Sequence, residues 1–285
     1  MIRFFDERSP AGGRPKAWLY LTHPGPSLLV TVVTVAAAGL LTRGLPSGRT
    51  TLGLVLVMLP GQLAIGALND WVDVASDRTS KPFKPIARGL VTPRGAAMVT
   101  ASMLAVSVAT GAWFGAGVMA VGLLAVVAGT TYDLFLKRTQ VAVLAWWAGF
   151  VAVPLLAMVM TGRLTGAVQT IPLAGLLSLA VLIANGLPDA AADSLAGART
   201  LSAALGDRRS RVVMVVALLI AAAYVLAVRG SLGQGGLAVV AAALLVAGAG
   251  AAWLPARARS LMFPLLAVCV AVAAVSWLGA LPEPG

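Results

Sequence analysis

Within a short stretch near residue 70, a long apolar run gives way to Asn69, Asp70, Asp73 and Asp77. An α-helix advances about 100° per residue, so positions zero, four and eight drift only about 80° around the axis. Asn69, Asp73 and Asp77 therefore share one face, and Asp70 stands beside them. Three carboxylates and a carboxamide facing one way make a strip of oxygen acceptors. Carboxylates this close repel one another unless a cation supplies the missing charge, and a hard divalent ion such as magnesium takes such ligands. The same spacing recurs at Asn185, Asp189 and Asp193, again at the end of an apolar run and again followed by an arginine, Arg199. Solvated acids at a polar helix end are the plainer reading, but they do not account for a one-faced spacing that appears twice.

Each strip runs into a long polar connection, residues 78–94 and 194–211, and both connections are basic. Acids that hold cations beside bases that clamp phosphate oxygens are what a metal-bridged polyphosphate requires. Arg88 and Arg199 hold comparable places after their strips. Between the halves, Tyr132, Asp133, Lys137 and Arg138 end another apolar run. Lys137 and Arg138 can reach phosphate, while Tyr132 either orients a substrate or belongs to an aromatic belt.

The elements that carry these residues follow from composition. With 59% hydrophobic and 11% charged residues over 285 positions, the chain is an integral membrane protein rather than a soluble domain. Nine apolar stretches of about 20 residues are expected, near 25–42, 51–69, 95–114, 117–136, 141–161, 167–187, 212–229, 235–254 and 261–281. Pro60, Pro154 and Pro172 fall inside spans and are expected to bend them. A hydrophilic segment, 1–24, precedes the first span without the pattern of a cleavable signal. Residues 25–285 then form one transmembrane domain with a pseudo-repeat, its acidic motifs at 69–77 and 185–193. Cys269 is the one cysteine, which excludes an intrachain disulfide and a cysteine metal cluster.

The net charge of +11 belongs to membrane orientation rather than to nucleic acid. Nine spans with a cytoplasmic N-terminus place most lysines and arginines inside, as the positive-inside rule demands. The C-terminus then lies on the opposite side of the cell membrane, and both strips face the cytoplasm.

AsnAspTrpValAspValAlaSerAsp followed by LysProIleAlaArgGly resembles the first Asp-rich motif of the UbiA superfamily of intramembrane prenyltransferases. Tyr132 through Arg138 resembles that family's Tyr and Lys-Arg segment, and residues 185–201 resemble its second Asp-rich motif. The resemblance covers nearly the whole chain. It implies an all-α bundle of nine transmembrane helices whose central cavity is capped by the two polar loops on the cytoplasmic side. It implies Mg2+ held by Asn69, Asp73 and Asp77 and by Asn185, Asp189 and Asp193, with Asp73 and Asp189 central to catalysis. A prenyl diphosphate donor would be clamped by Arg88, Lys137, Arg138 and Arg199, with Asp70 or a neighbouring carboxylate taking the acceptor's proton.

The chain departs from the family at three places. His23 precedes Pro24 where many members carry arginine, and it is expected to contact phosphate when protonated or to cap a helix. Gly186 stands where an acid often follows the asparagine, and Ala198 where a lysine often precedes the arginine. The implied reaction is transfer of a prenyl group to a lipophilic aromatic or quinone-precursor acceptor. A terpene cyclase, a phosphoribosyl transferase acting on a lipid phosphate, and a transporter are the alternatives. The last is disfavoured because the acids gather at span ends, so no ionisable relay crosses the bilayer.

Overall fold

The computed structural model describes residues 14–195, 197–228, 244, 248 and 262–279. Within these, the chain is helical: α1 Arg14–Leu21, α2 Pro24–Leu41, α3 Gly48–Val72, α4 Val74–Ser80, α5 Pro93–Phe114, α6 Ala116–Thr131, α7 Ala142–Thr161, α8 Ala167–Gly186, α9 Ala190–Leu195, α10 Leu201–Ala227 and α11 Met262–Gly279. A π-helical turn, Tyr132–Leu136, extends α6. Among the described residues seven helices are long and apolar enough to cross a membrane: α2, α3, α5, α6 with its π turn, α7, α8 and α10. The expected eighth span, 235–254, lies almost wholly outside the described residues, and the ninth coincides with α11. Of the nine expected spans, seven are realised as such helices and an eighth as α11, and the remaining one falls outside the described residues.

Local sequence sets the helix starts. Ser47, Thr92 and Thr200 each accept a hydrogen bond from a backbone N–H of the following helix, those of Thr50, Gly95 and Ala203. These hydroxyls satisfy donors that the first helical turn leaves open. Gly115, at φ +120°, is the whole connection between α5 and α6, a conformation that side chains strongly disfavour. Pro60, Pro154 and Pro172 lie within continuous helices α3, α7 and α8.

The chain divides into two compact units, Met1–Val35 with Ser47–Leu134, and Ala36–Pro46 with Phe135–Gly285. In the first, α3 packs on α5 and α6 through small residues. A Cβ added at Gly61 would lie 3.2 Å from both Ser107 Oγ and Val126 Cγ2. The Ser107 hydroxyl donates to the Val57 carbonyl at 2.7 Å. Such residues let membrane helices approach closely and satisfy one another's polar groups. Near the acidic end of α3, a cluster of Ala17, Leu21, Ala67, Ile86, Val91 and Ala96 packs α1 and the 81–92 connection against α3 and α5.

In the second unit, side chains tie the N-terminal part of α8 to its neighbours. Trp147 Nε1 donates to the Ile171 carbonyl at 2.9 Å, Tyr224 Oη to the Gln169 carbonyl at 2.9 Å, and Trp277 Nε1 to Thr170 Oγ1 at 3.1 Å. At the other end of α8, Ser202 Oγ donates to the Ile183 carbonyl at 3.2 Å. This bond fixes the start of α10 beside the second strip.

The packing of α3 gives a direct test. Gly61→Leu should destabilise the protein by about 1–3 kcal/mol, the usual cost of overpacking. Gly149→Ala, whose added Cβ meets nothing within 4 Å, should be neutral or slightly stabilising. Thermal unfolding in one detergent checks both.

Candidate active site

The first strip is bent rather than straight. Asp73, at φ −85° and ψ 0°, closes α3 and opens α4. Backbone bonds carry the i, i+4 relation through the bend: Asp73 N–H donates to the Asn69 carbonyl at 3.0 Å, and Asp77 N–H to the Asp73 carbonyl at 2.8 Å. The second strip repeats this plan. Asp189 lies in the turn between α8 and α9, and Asp193 N–H donates to its carbonyl at 2.8 Å. The expectation of one unbroken helical face is corrected in both places. At the second, Pro188 directly precedes Asp189 and offers no N–H to continue α8.

A buried ion cluster sits at the first bend. Lys84 Nζ lies 2.7 Å from Asp70 Oδ1 and 2.9 Å from Asp77 Oδ2. It also donates to Asn69 Oδ1 at 3.5 Å. Asp70 and Asp77 retain only 1% and 5% of their exposure, and Lys84 6%. The Asn69 amide nitrogen donates to Asp133 Oδ1 at 2.8 Å, so this carboxamide connects Lys84 with Asp133.

The 81–92 connection is shaped to deliver Lys84. Its Ile86 and Val91 are anchored in the apolar cluster. Arg88 N–H donates to the Lys84 carbonyl at 3.0 Å, and Gly89 at φ +72° completes the turn. Burial alone would pull the Lys84 ammonium down, but Asp70 and Asp77 outweigh burial and hold it above the ordinary lysine range. Stabilisation from a raised lysine is present in full below its ordinary value and is lost only as pH climbs through the raised one. Neutral pH therefore leaves the Lys84 ammonium charged.

His23 is brought to the same place by an unusual backbone. It adopts φ +48° between α1 and α2, a region that few residues with side chains visit. Its Nε2 lies 2.9 Å from Asp70 Oδ1. Gly66 makes this seat: a Cβ there would fall 2.5 Å from the Thr22 carbonyl oxygen. Beside the roles expected of it, His23 has this bond to Asp70, and its carbonyl accepts from Ser27 N–H at 3.3 Å at the start of α2.

In the second unit, Asp193 Oδ2 accepts from Thr200 Oγ1 at 3.2 Å. Arg199 N–H donates to the Arg138 carbonyl at 3.0 Å, so the structure brings together the backbones of two residues expected to clamp phosphate. Their side chains, like Arg88 in the first unit, are exposed, whereas Lys137 Nζ is buried. Asn185 and Asp189 are exposed, and Asp73, Tyr132 and Asp193 are half-buried.

Sequence reasoning passed over Lys84 and Asp133 as site residues. Lys84 opens the LysProIleAlaArgGly segment, but its own role was masked by the general excess of bases on that side. Asp133 was placed at the right level without a partner, since its partner Asn69 is 64 positions away.

Among the described residues, no three His, Cys, Asp or Glu side chains form a ready-made metal cluster. Instead, oxygens of Asn69, Asp70 and Asp77 already converge on one cation, the Lys84 ammonium. Magnesium characteristically takes one or two carboxylates together with waters and substrate phosphates rather than a closed protein cage. The exposed Asn185 and Asp189 and the half-buried Asp73 and Asp193 offer hard oxygen donors that fit that habit.

The ion cluster also sets an expectation for stability. Asp70→Ala leaves Lys84 buried with half its compensation and should cost about 3–5 kcal/mol, the range for breaking a buried pair from one side. Asp70→Asn, which keeps an acceptor, should cost less. Chemical unfolding in detergent micelles measures the difference.

The UbiA prenyltransferase family model matches residues 29–261. The digeranylgeranylglyceryl phosphate synthase of Thermococcus kodakarensis is 27% identical over 241 residues, covering 79% of this chain and 82% of that protein. The synthase of the same name from Natronomonas pharaonis is 30% identical over 213 residues, covering 72% and 76%. A solved structure concerned with digeranylgeranylglyceryl phosphate synthase in membranes superposes with a TM-score of 0.76 at 14% identity, over 94% of this chain and 98% of the other. A UbiA homologue from Archaeoglobus fulgidus bound to GPP and Mg2+ gives 0.70 at 18% identity, over 90% and 98%. At these identities the solved structures establish a shared fold.

Proposed function

From its place in the UbiA prenyltransferase family, to which this chain belongs, we propose that the protein carries out Mg2+-dependent transfer of a prenyl group from a prenyl diphosphate to the hydroxyl of a glyceryl phosphate lipid. The observation that carries this reading is the repeated Asn-x3-Asp-x3-Asp strip, each copy followed by a basic connection. The aromatic or quinone-precursor acceptor expected earlier is replaced because the curated relatives are named digeranylgeranylglyceryl phosphate synthases.

In this reading Asn69, Asp73 and Asp77, and likewise Asn185, Asp189 and Asp193, hold Mg2+. Bound there, the metal supplies positive charge that stabilises the departing diphosphate. Arg88, Lys137, Arg138 and Arg199 neutralise the remaining phosphate oxygens, and Tyr132 helps to orient the donor. The bond between the prenyl C1 and the diphosphate oxygen breaks, its electron pair leaving with diphosphate. The acceptor hydroxyl oxygen bonds to C1 and passes its proton to a carboxylate neighbouring Asp70, Asp70 itself being committed to Lys84 and His23. Apolar helices hold the isoprenoid chain and keep water from the allylic cation. Residues 25–285 act as one catalytic domain in the membrane, with both strips on the cytoplasmic side by the distribution of basic residues.

Purified protein in nanodiscs should release diphosphate from geranylgeranyl diphosphate when given Mg2+ and geranylgeranylglyceryl phosphate, and the product mass should equal the ether adduct. EDTA, Asp73→Ala and Asp189→Ala should each lower turnover by at least about a hundredfold, the scale of losing a principal electrostatic stabiliser. An adduct formed only with a phenolic acceptor would overturn the lipid assignment. A cyclised hydrocarbon formed without acceptor would overturn transfer.

A further inference from the structure

The Lys84 ammonium occupies the point on which the oxygens of the first strip converge, at 2.7, 2.9 and 3.5 Å from Asp70, Asp77 and Asn69. Two of those three residues, Asn69 and Asp77, belong to the set assigned to the metal. The third does not. Asp70 is the deepest of the group, and its Oδ1, the oxygen that Lys84 contacts, is also held by His23 Nε2 at 2.9 Å.

We propose that Lys84 is a built-in placeholder for the metal at the first strip, a positioning residue that keeps Asn69 and Asp77 gathered and must release them when the divalent cation binds. Asp70 is its permanent tether, and His23, seated by Gly66, fixes that tether. The proposal rests on the reading of the first strip as a metal site.

The geometry separates two roles within one acidic cluster. A cation bound by Asp77 and Asn69 displaces the ammonium from those oxygens, because like charges cannot share them at such distances. Lys84 stays in contact with Asp70, on the rim of the newly filled site, with two of its three N–H donors turned free. An ammonium so placed can donate to an oxygen of the metal-bound diphosphate. The loop is built for a small movement of this kind, since its anchors, Ile86 and Val91, lie in apolar packing that the charge exchange leaves alone.

Competition of this sort has a direction that simple support lacks. If Lys84 merely orders the strip, its removal weakens metal binding. If it holds the metal's place, its removal strengthens binding, because apparent affinity rises as the occupied, incompetent state is abolished.

The test measures Mn2+ binding alone, by the electron paramagnetic resonance signal of the free ion, on full-length protein in nanodiscs of zwitterionic lipid. Asp189→Asn and Asp193→Asn are present throughout so that the first strip is read by itself. Lys84→Met should bind Mn2+ about tenfold more tightly than the parent, as expected when a competing state of about 90% occupancy is removed. Asp77→Asn should abolish the gain. Because Lys84→Met leaves buried carboxylates uncompensated, the paired variant Asp70→Asn with Lys84→Met, which removes one charge of each sign, should show the same tightening. Lys84→Arg, which restores a cation, should return affinity towards the parent. Unchanged or weaker Mn2+ binding in the folded paired variant would overturn the placeholder while leaving the metal site standing. Loss of all Asp77-dependent Mn2+ binding in parent and variants alike would overturn both.

Discussion

Two carboxylates and one ammonium share a nearly dry pocket at the end of α3, and the first unit is arranged around that fact. Taking three charges out of water costs several kcal/mol each by any reasonable account, about enough to cancel their mutual attraction. What tips the balance is geometry: a donor at under 3 Å to each acid, and a histidine on the deeper one. An apolar trio of similar volume would stabilise the fold as well or better. The cluster is better understood as preorganisation than as reinforcement. It fixes which oxygens are committed to Lys84 and His23.

That preorganisation reaches back into parts of the chain with no chemistry of their own. Gly66 has no side chain because the Thr22 carbonyl lies where one would be. This close approach lets the α1–α2 turn stand over Asp70, and the turn in turn holds His23 at positive φ. The apolar contacts of Ala17 and Leu21 with Ile86 and Val91 press the basic connection onto the same helix end. Small residues along α3 serve the membrane packing on one stretch and the charge cluster on the next.

Much of this was legible in the sequence, and what was not has physical causes. Hydropathy over about 20 residues reports a bilayer crossing directly, so the spans realised as α2, α3, α5, α6, α7, α8 and α10 could be read. The offset 69, 73, 77 also survived, because i to i+4 backbone bonds run through the first bend, and in the second strip the 189 to 193 step keeps such a bond. The bends themselves were invisible: helical periodicity does not register a single residue at ψ 0°, and Pro188 alone hinted at one. Lys84 was hidden for a different reason. The connections between spans are rich in lysine and arginine, so nothing in residue type separates the buried Lys84 from its exposed neighbours Lys81 and Arg88. His23 and Asp133 find their partners 47 and 64 positions away, beyond any local pattern.

The two strips repeat in sequence but differ in electrostatics, and the departures from the family pattern show why. Asn69 is followed by Asp70, the tether of Lys84, whereas Asn185 is followed by Gly186. A Cβ at Gly186 would fall 2.9 Å from Ser202 Oγ, and Ser202 is the residue whose hydroxyl binds α10 to the Ile183 carbonyl. A side chain at 186 would require that hydroxyl to shift. The second strip therefore has no counterpart of Asp70, and Ala198 removes a base from the connection that follows. Without the acid, a buried lysine there would lack its tether and pay the full cost of desolvation. Asp193 is left with a neutral donor, Thr200, and Asp189 stands exposed to solvent, so the second strip keeps its oxygens open where the first holds them around a resident cation.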